Sequence, residues 1–350
     1  MTGAVAPREK RVDLFKRAAR AAVGACAVGA LVACGGGGGG SDASGGSGSS
    51  GGSSGGSGGS ASPYLLFASD YTGDVAAFTT LSPAAGTAIT ANVVETVQYT
   101  GKTMAYDAGH DELYTMFENT FVDPSAKVIV YGHASTLKAG ATAARTLVLA
   151  DFWGANELVL DVVHDRLWVL GSDHDSQGLI EVFEQASTLA GTPAASRVIH
   201  TSSYNIAVDV GRDILYLNQL GNEISVYANA STLSGSILAD RQMRGMDSTD
   251  GMVLDASRDT LYTVGTGGAS ILVIQHASTA TTAAPAAIAL PAGAQLMGLA
   301  VDSAHDRLYA GGQGAAYVID NVSTLTGGTA AAAKVQATGA LVSAFAFAGQ

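Results

Sequence analysis

Beyond residue 63 the chain alternates short apolar runs with turn residues. One stretch shows the pattern: "GLAVD", "RLYAGG", "AAYVID" and "AAKVQAT" follow one another between residues 298 and 338, separated by Asp, His, Gly and Asn. Val, Leu, Ile and Tyr at alternate positions predict half-buried β-strands, and the polar breaks predict the turns between them. No apolar spacing of 3.6 residues is sustained after residue 63, so no long helix is expected there.

The same stretch recurs. "MAYDAGHDELYTMF" (104–117), "LVLDVVHDRLWVLG" (158–171), "IAVDVGRDILYLNQ" (206–219), "MVLDASRDTLYTVG" (252–265) and "LAVDSAHDRLYAGG" (299–312) align without gaps. Their first aspartates, Asp107, Asp161, Asp209, Asp255 and Asp302, are 54, 48, 46 and 47 residues apart. Each copy is followed by a second motif: "IVYGHASTL", "EVFEQASTL", "SVYANASTL", "LVIQHASTA" and "YVIDNVSTL". Recurrence at this period marks stacked supersecondary units, and four strands per unit is the pattern of a propeller blade.

The two ends complement each other. "YLLFASDYTGDVAAFTTL" (64–81) matches second and third strands, whereas "SAFAFA" (343–348) matches a first strand. The expected fold is therefore an all-β, six-bladed β-propeller of four-stranded antiparallel blades. The C-terminal strand joins the N-terminal blade and removes the free edge there. The inner strands carry a packing code: Ala105, Val159, Ala207, Val253, Ala300 and Ala346 on one face, Tyr106, Leu160, Val208, Leu254, Val301 and Phe347 on the other. By its "VD…DRLY" hairpin and "ASTL" turn, the segment 64–350 resembles the NHL and YVTN classes of bacterial propeller repeats. That resemblance implies a fold and leaves function open.

Asp302, His305 and Asp306 look at first like a metal or acid–base cluster. The same positions are filled in four other units by Asp107/His110/Asp111, Asp161/His164/Asp165, Asp209/Arg212/Asp213 and Asp255/Arg258/Asp259. A guanidinium cannot ligate a metal, so free exchange of His for Arg argues against ligation. The first aspartates are expected to be structural, accepting backbone N–H groups in the turn. The Asn-x-Ser sequons at Asn229 and Asn321 fall in the repeated turn and read as turn chemistry.

Function is then expected in what differs between units. The distinctive segments are 69–74, 118–127, 150–157, 171–178 and 241–250. Asp173, His174 and Asp175 form the densest cluster able to bind a ligand, and Asp70, Asp74, Asp123 and Asp151 are candidate helpers toward a divalent cation. Phe121, Phe152 and Trp153 either anchor a partner or glycan, or pack between blades. The first strands read as apolar up to the hairpin acid, so no ligand set is expected at the axis. No G-x-S-x-G, H-E-x-x-H or phosphate-loop motif occurs in the repeats, and catalytic residues are not assigned.

The N-terminal segment has a different character. "REKRVDLFKRAAR" precedes the apolar run "AAVGACAVGALVA", which is too short to span a bilayer comfortably. Leu31-Val32-Ala33-Cys34 resembles a bacterial lipobox. The resemblance implies cleavage before Cys34, acylation of its thiol, and an anchor in the cell envelope, with Gly35 favouring the outer membrane over the inner. Residues 35–62 hold 15 Gly and 10 Ser, which predicts a flexible tether with a span of about 30 Å. The expected domains are thus 1–33 signal peptide, 34–62 lipidated Cys34 and tether, and 63–350 propeller.

Charge narrows the partners. Residues 35–350 carry 12 Lys/Arg and 28 Asp/Glu, a formal charge of 12 − 28 = −16. So acidic a head repels nucleic acid. Both cysteines, Cys26 and Cys34, precede the repeats, so no disulfide is available there. The function expected is that of a membrane-anchored lipoprotein whose propeller binds an envelope protein or glycan without catalysis and without a resident cofactor. The alternative is a metal-dependent, lactonase-like hydrolase with a site built from loops.

Overall fold

The computed structural model describes residues 66–69, 74–78, 93–96, 103–335 apart from short breaks, and 344–347. The breaks fall at 118–125, 139, 220–222, 246–247, 282–284, 291–293, 313–314, 326 and 330–331. The residues from Ser60 to Gln350 form one compact unit. The expectations for Cys34, for the tether, and for Asp70, Phe121 and Asp123 lie outside the described residues.

The fold is all-β and of the propeller type. Its strands group into six sheets. Five are complete blades, each drawn from one contiguous stretch: 104–149, 154–200, 203–244, 248–289 and 296–335, hereafter blades 1 to 5. Within each blade successive strands pair antiparallel, as in blade 5, where Tyr309 lies opposite both Ala300 and Val318. The sequence predicts six four-stranded blades, one of them assembled from both chain ends, and here the count differs. Five blades carry the whole repeat, and the remaining sheet is a composite of shorter strands from both ends of the chain. There Leu66–Ser69 pairs with Asp74–Phe78 on one side and with Ala344–Phe347 on the other, and Val93–Thr96 follows outside.

Contact between the inner strands runs in series from Met104–Asp107 to Gly154–Asp161, Ser203–Asp209, Ser248–Asp255 and Leu296–Asp302. Ala344–Phe347 touches both Leu296–Asp302 and Met104–Asp107. The apolar cores lie between neighbouring blades. Tyr262, Val273 and Ile288 of blade 4 meet Leu296, Leu308 and Tyr317 of blade 5, and Tyr114, Val128 and Leu147 of blade 1 meet Leu158, Leu167 and Phe183 of blade 2. Period-2 alternation allows this because each strand offers one face to each neighbouring blade.

The second strands supply the largest buried groups, Tyr114, Trp168, Tyr216, Tyr262 and Tyr309, all at equivalent positions and at most 1% exposed. Each contributes on the order of 2 kcal/mol or more by burial.

Blade edges are also protected. After the Ser-Thr turn of blade 3 the chain adds Gly235–Ser236 in parallel to the outer strand of blade 2, and Gly328–Thr329 does the same for blade 4. Gly235 and Gly328 have φ of 68° and 94°, a region that favours glycine and lets the backbone lie against the edge.

Candidate binding face

One face of the array is given over to turns. In every blade the first Asp ends the inner strand and caps the following turn. Asp161 Oδ1 accepts the N–H groups of Val163 and His164 at 3.1 and 3.0 Å, and Asp302 Oδ1 accepts that of His305 at 3.0 Å. The second carboxylate oxygen meets the variable third position. His110, His164 and His305 approach through Nδ1 at 2.7, 2.9 and 2.8 Å. Arg212 and Arg258 approach through Nη1 at 2.9 and 2.6 Å. His and Arg are interchangeable here because both place a nitrogen on the same oxygen.

The second Asp joins this turn to the Ser-Thr turn. Asp111, Asp165, Asp213, Asp259 and Asp306 all have φ between 52° and 56°. Their Oδ1 atoms accept the backbone N–H of Ser135, Ser187, Ser231, Ser278 and Ser323, and their Oδ2 atoms accept the serine hydroxyls, all within 2.9 Å. Asn229 and Asn321 lie just before these turns in the left-handed region. The repeated cluster therefore spends its polar groups on the scaffold.

The opposite face is irregular, and blade 2 dominates its described part. The loop 172–178 is fixed by Asp173, whose Oδ1 accepts the N–H groups of Asp175 and Gln177 at 2.9 and 2.7 Å. Its backbone N–H donates to Gln177 O at 2.8 Å. Asp173 thus serves its own turn, while Asp175 is exposed. His174 reaches across to the loop before the blade: its Nε2 lies 3.2 Å from Ala150 O, and its ring meets Trp153 edge-on at 6.0 Å. Trp153 keeps 46% of its surface exposed. The neighbouring Phe152 is fully buried, packed against Gly171, where a Cβ would come within 2.6 Å of its ring. The two aromatics left open by the sequence are thereby separated, one packed and one displayed.

Two carboxyls behind this face escaped the sequence reading. Glu181, on the third strand of blade 2, is 2% exposed. Burial pushes its carboxyl up to about 8, and a hydrogen bond and the charge of Asp151 push the same way. Glu181 therefore holds a proton at neutral pH next to the exposed Asp151. Its Oε1 has no hydrogen-bond partner among the described residues.

The second is Glu157. Residues 150–157 read as a loop, but the inner strand starts at Gly154 and bulges between Ala155 and Glu157. Blade 3 bulges at the same level, between Ser203 and Asn205. Glu157 Oε2 accepts the N–H of Ile206 at 2.7 Å, and the Asn205 side chain also donates to it. Burial outweighs both bonds and pushes this carboxyl up to about 8. The expectation of nearly all-apolar first strands is thus corrected: beyond the bulges Glu157 and Asn205 add polar groups to the inner strands of blades 2 and 3. Residues 241–250 are likewise only partly loop, because Arg241–Arg244 is the outer strand of blade 3 and Ser248 opens the next inner strand.

Among the described residues, no three His, Cys, Asp or Glu side chains are grouped to hold one metal ion. The structure brings together Asp151, Trp153, Asp173, His174 and Asp175. Asp74 begins a strand of the composite sheet, whose side chains are not described.

No family model matches the chain, and no curated protein matches it. Solved structures do. A chain of the crystallised nidogen/laminin complex aligns with a TM-score of 0.55 at 14% identity, covering 81% of this chain and 98% of that one. A functionally unknown protein from Desulfotomaculum acetoxidans aligns with a TM-score of 0.50 at 9% identity, covering 74% and 75%. At these identities the likeness shows the fold alone: this chain folds as an all-β propeller.

Proposed function

We propose that the protein is an envelope lipoprotein whose propeller head binds a protein or glycan through the irregular face of blade 2, without catalysis. The observation that carries the reading is Trp153, an exposed aromatic held edge-on by His174 on a loop that Asp173 fixes. A rigid, displayed aromatic ringed by polar groups is the usual anchor of a binding surface. The nidogen/laminin neighbour comes from a protein–protein complex, which agrees with a protein partner.

Closure supports the same reading. The strands from the two ends of the chain pair with each other, and Ala344–Phe347 touches the inner strands of blades 1 and 5, so the face stands on a scaffold tied together at its ends. The lactonase-like alternative would draw on Glu157 and Asn205 of the inner strands. Glu157 is already engaged by Ile206 and Asn205, and a carboxyl protonated at neutral pH is a weak cation ligand.

The anchor is the Cys34 thiol, in a setting that resembles a lipobox, followed by the Gly/Ser tether. Labelling cells with radioactive palmitate tests it. The parent protein takes the label and fractionates with the outer membrane, and Cys34→Ser abolishes the label. Labelling that survives this substitution overturns the assignment.

A further inference from the structure

Blades 1, 2 and 3 are each fastened to the next by an arginine. Arg145 Nη1 donates to Ala186 O and Leu189 O of blade 2, both at 2.9 Å. Arg197 Nη1 donates to Ala230 O and Leu233 O of blade 3 at 3.0 and 3.1 Å. Arg241 Nη2 donates to Ala277 O of blade 4 at 3.0 Å. The acceptors are the first residue of the next Ser-Thr turn and, in two of the three, the residue that ends it. Two of the guanidinium groups also lie over an aromatic ring of their own blade: Arg145 over Tyr114 at 5.7 Å and Arg197 over Trp168 at 5.2 Å.

Strand register makes the device a fixed row across each blade. Tyr114–Val130–Arg145, Trp168–Val182–Arg197 and Tyr216–Val226–Arg241 are cross-strand neighbours on the second, third and outer strands. In blade 4 the row reads Tyr262–Val273–Ala286. The ring and the valine are kept and the arginine is replaced by alanine. A cavity of about 290 Å³ opens at this place, lined by Tyr262 and Val273 of the row and by Val322, Ser323 and Leu325 of the next turn. Val322 and Leu325 correspond to Ala186 and Leu189, whose carbonyls receive Arg145.

We propose that this cavity between blades 4 and 5 is a binding site for a guanidinium group, supplied by a free guanidino compound or by an arginine side chain. The site offers the aromatic floor that Arg145 and Arg197 use, beside the kind of turn whose carbonyl oxygens receive all three arginines. Arg258 and His276 also line it. Arg258 does not bar a second cation, because Asp255 Oδ2 lies 2.6 Å from its Nη1 and Asp306 Oδ1 lies 3.6 Å from its Nη2. The interface before it gives the precedent, since Arg212 stands in the place of Arg258 there while Arg241 fills the guanidinium position. The charge of −16 over residues 35–350 favours the approach of any cation. The proposal stands apart from the blade 2 face and from the anchor.

The test is calorimetric titration of agmatine into the full chain at constant ionic strength, with potassium chloride as the control salt. The parent is expected to bind agmatine saturably. Ala286→Arg, which supplies the guanidinium from within, is expected to abolish binding and to raise the thermal midpoint. Tyr262→Leu, which removes the aromatic floor, is expected to weaken binding about three- to tenfold. Absence of binding by the parent, or equal binding by the parent and Ala286→Arg, overturns the proposal. If Ala286→Arg does not fold, Tyr262→Leu decides: unchanged affinity overturns it.

Discussion

The Asp–Ser pairs of the turn face and the carboxyls behind the opposite face show how differently one residue type is used. Asp111 and its equivalents satisfy serine N–H and hydroxyl groups with both oxygens. Glu181 has one oxygen without a partner among the described residues and a carboxyl pushed up to about 8. Its proton is therefore bound more tightly in the folded protein than in the unfolded one. Stability from this group is present below the ordinary glutamate value and is lost as pH rises toward 8. Glu181→Gln keeps the shape and removes the titration. The variant is expected to match the parent at pH 5 and to melt at a higher temperature at pH 8.5, by roughly 2–4 °C for each kcal/mol recovered. Thermal melts at the two pH values check this; a variant less stable than the parent at pH 8.5 contradicts it.

At the scale of elements, legibility followed repetition. The two aspartates and the Ser-Thr turn were legible because five copies align, and no single-site role explains five copies. The arginine row was not, because Arg145, Arg197 and Arg241 occur in only three blades, and pairing across strands is invisible to a reading along the chain. Glu157 and Asn205 were hidden for another reason. A bulge adds a residue and breaks the alternation that marks a strand, so "GANE" reads as loop. Phe152 and Trp153 were undecidable in sequence because adjacent residues of similar chemistry can point either way; Gly171 makes the room that settles Phe152 inside. The pairing of Ala344–Phe347 with Leu66–Ser69 was legible from the complementary ends. Deleting residues 341–350 removes that strand and is expected to lower the thermal midpoint of the whole head in one transition. A deletion variant that melts like the parent contradicts the closure of the array.

At the scale of the molecule, the division of labour between the two faces follows from the turn chemistry. The hairpin face repeats a closed set of hydrogen bonds and exposes little that differs between blades. The opposite face carries the bulges, the fixed loop of Asp173 and the displayed Trp153.

Site-specific photo-cross-linking in intact cells tests this most directly. A benzophenone side chain is placed either at Trp153, on the irregular face, or at Val163, which is 74% exposed in the turn of blade 2 on the hairpin face. The binding account predicts one discrete adduct from position 153 and none from position 163. Equal adducts from both positions, or none from position 153, would contradict it.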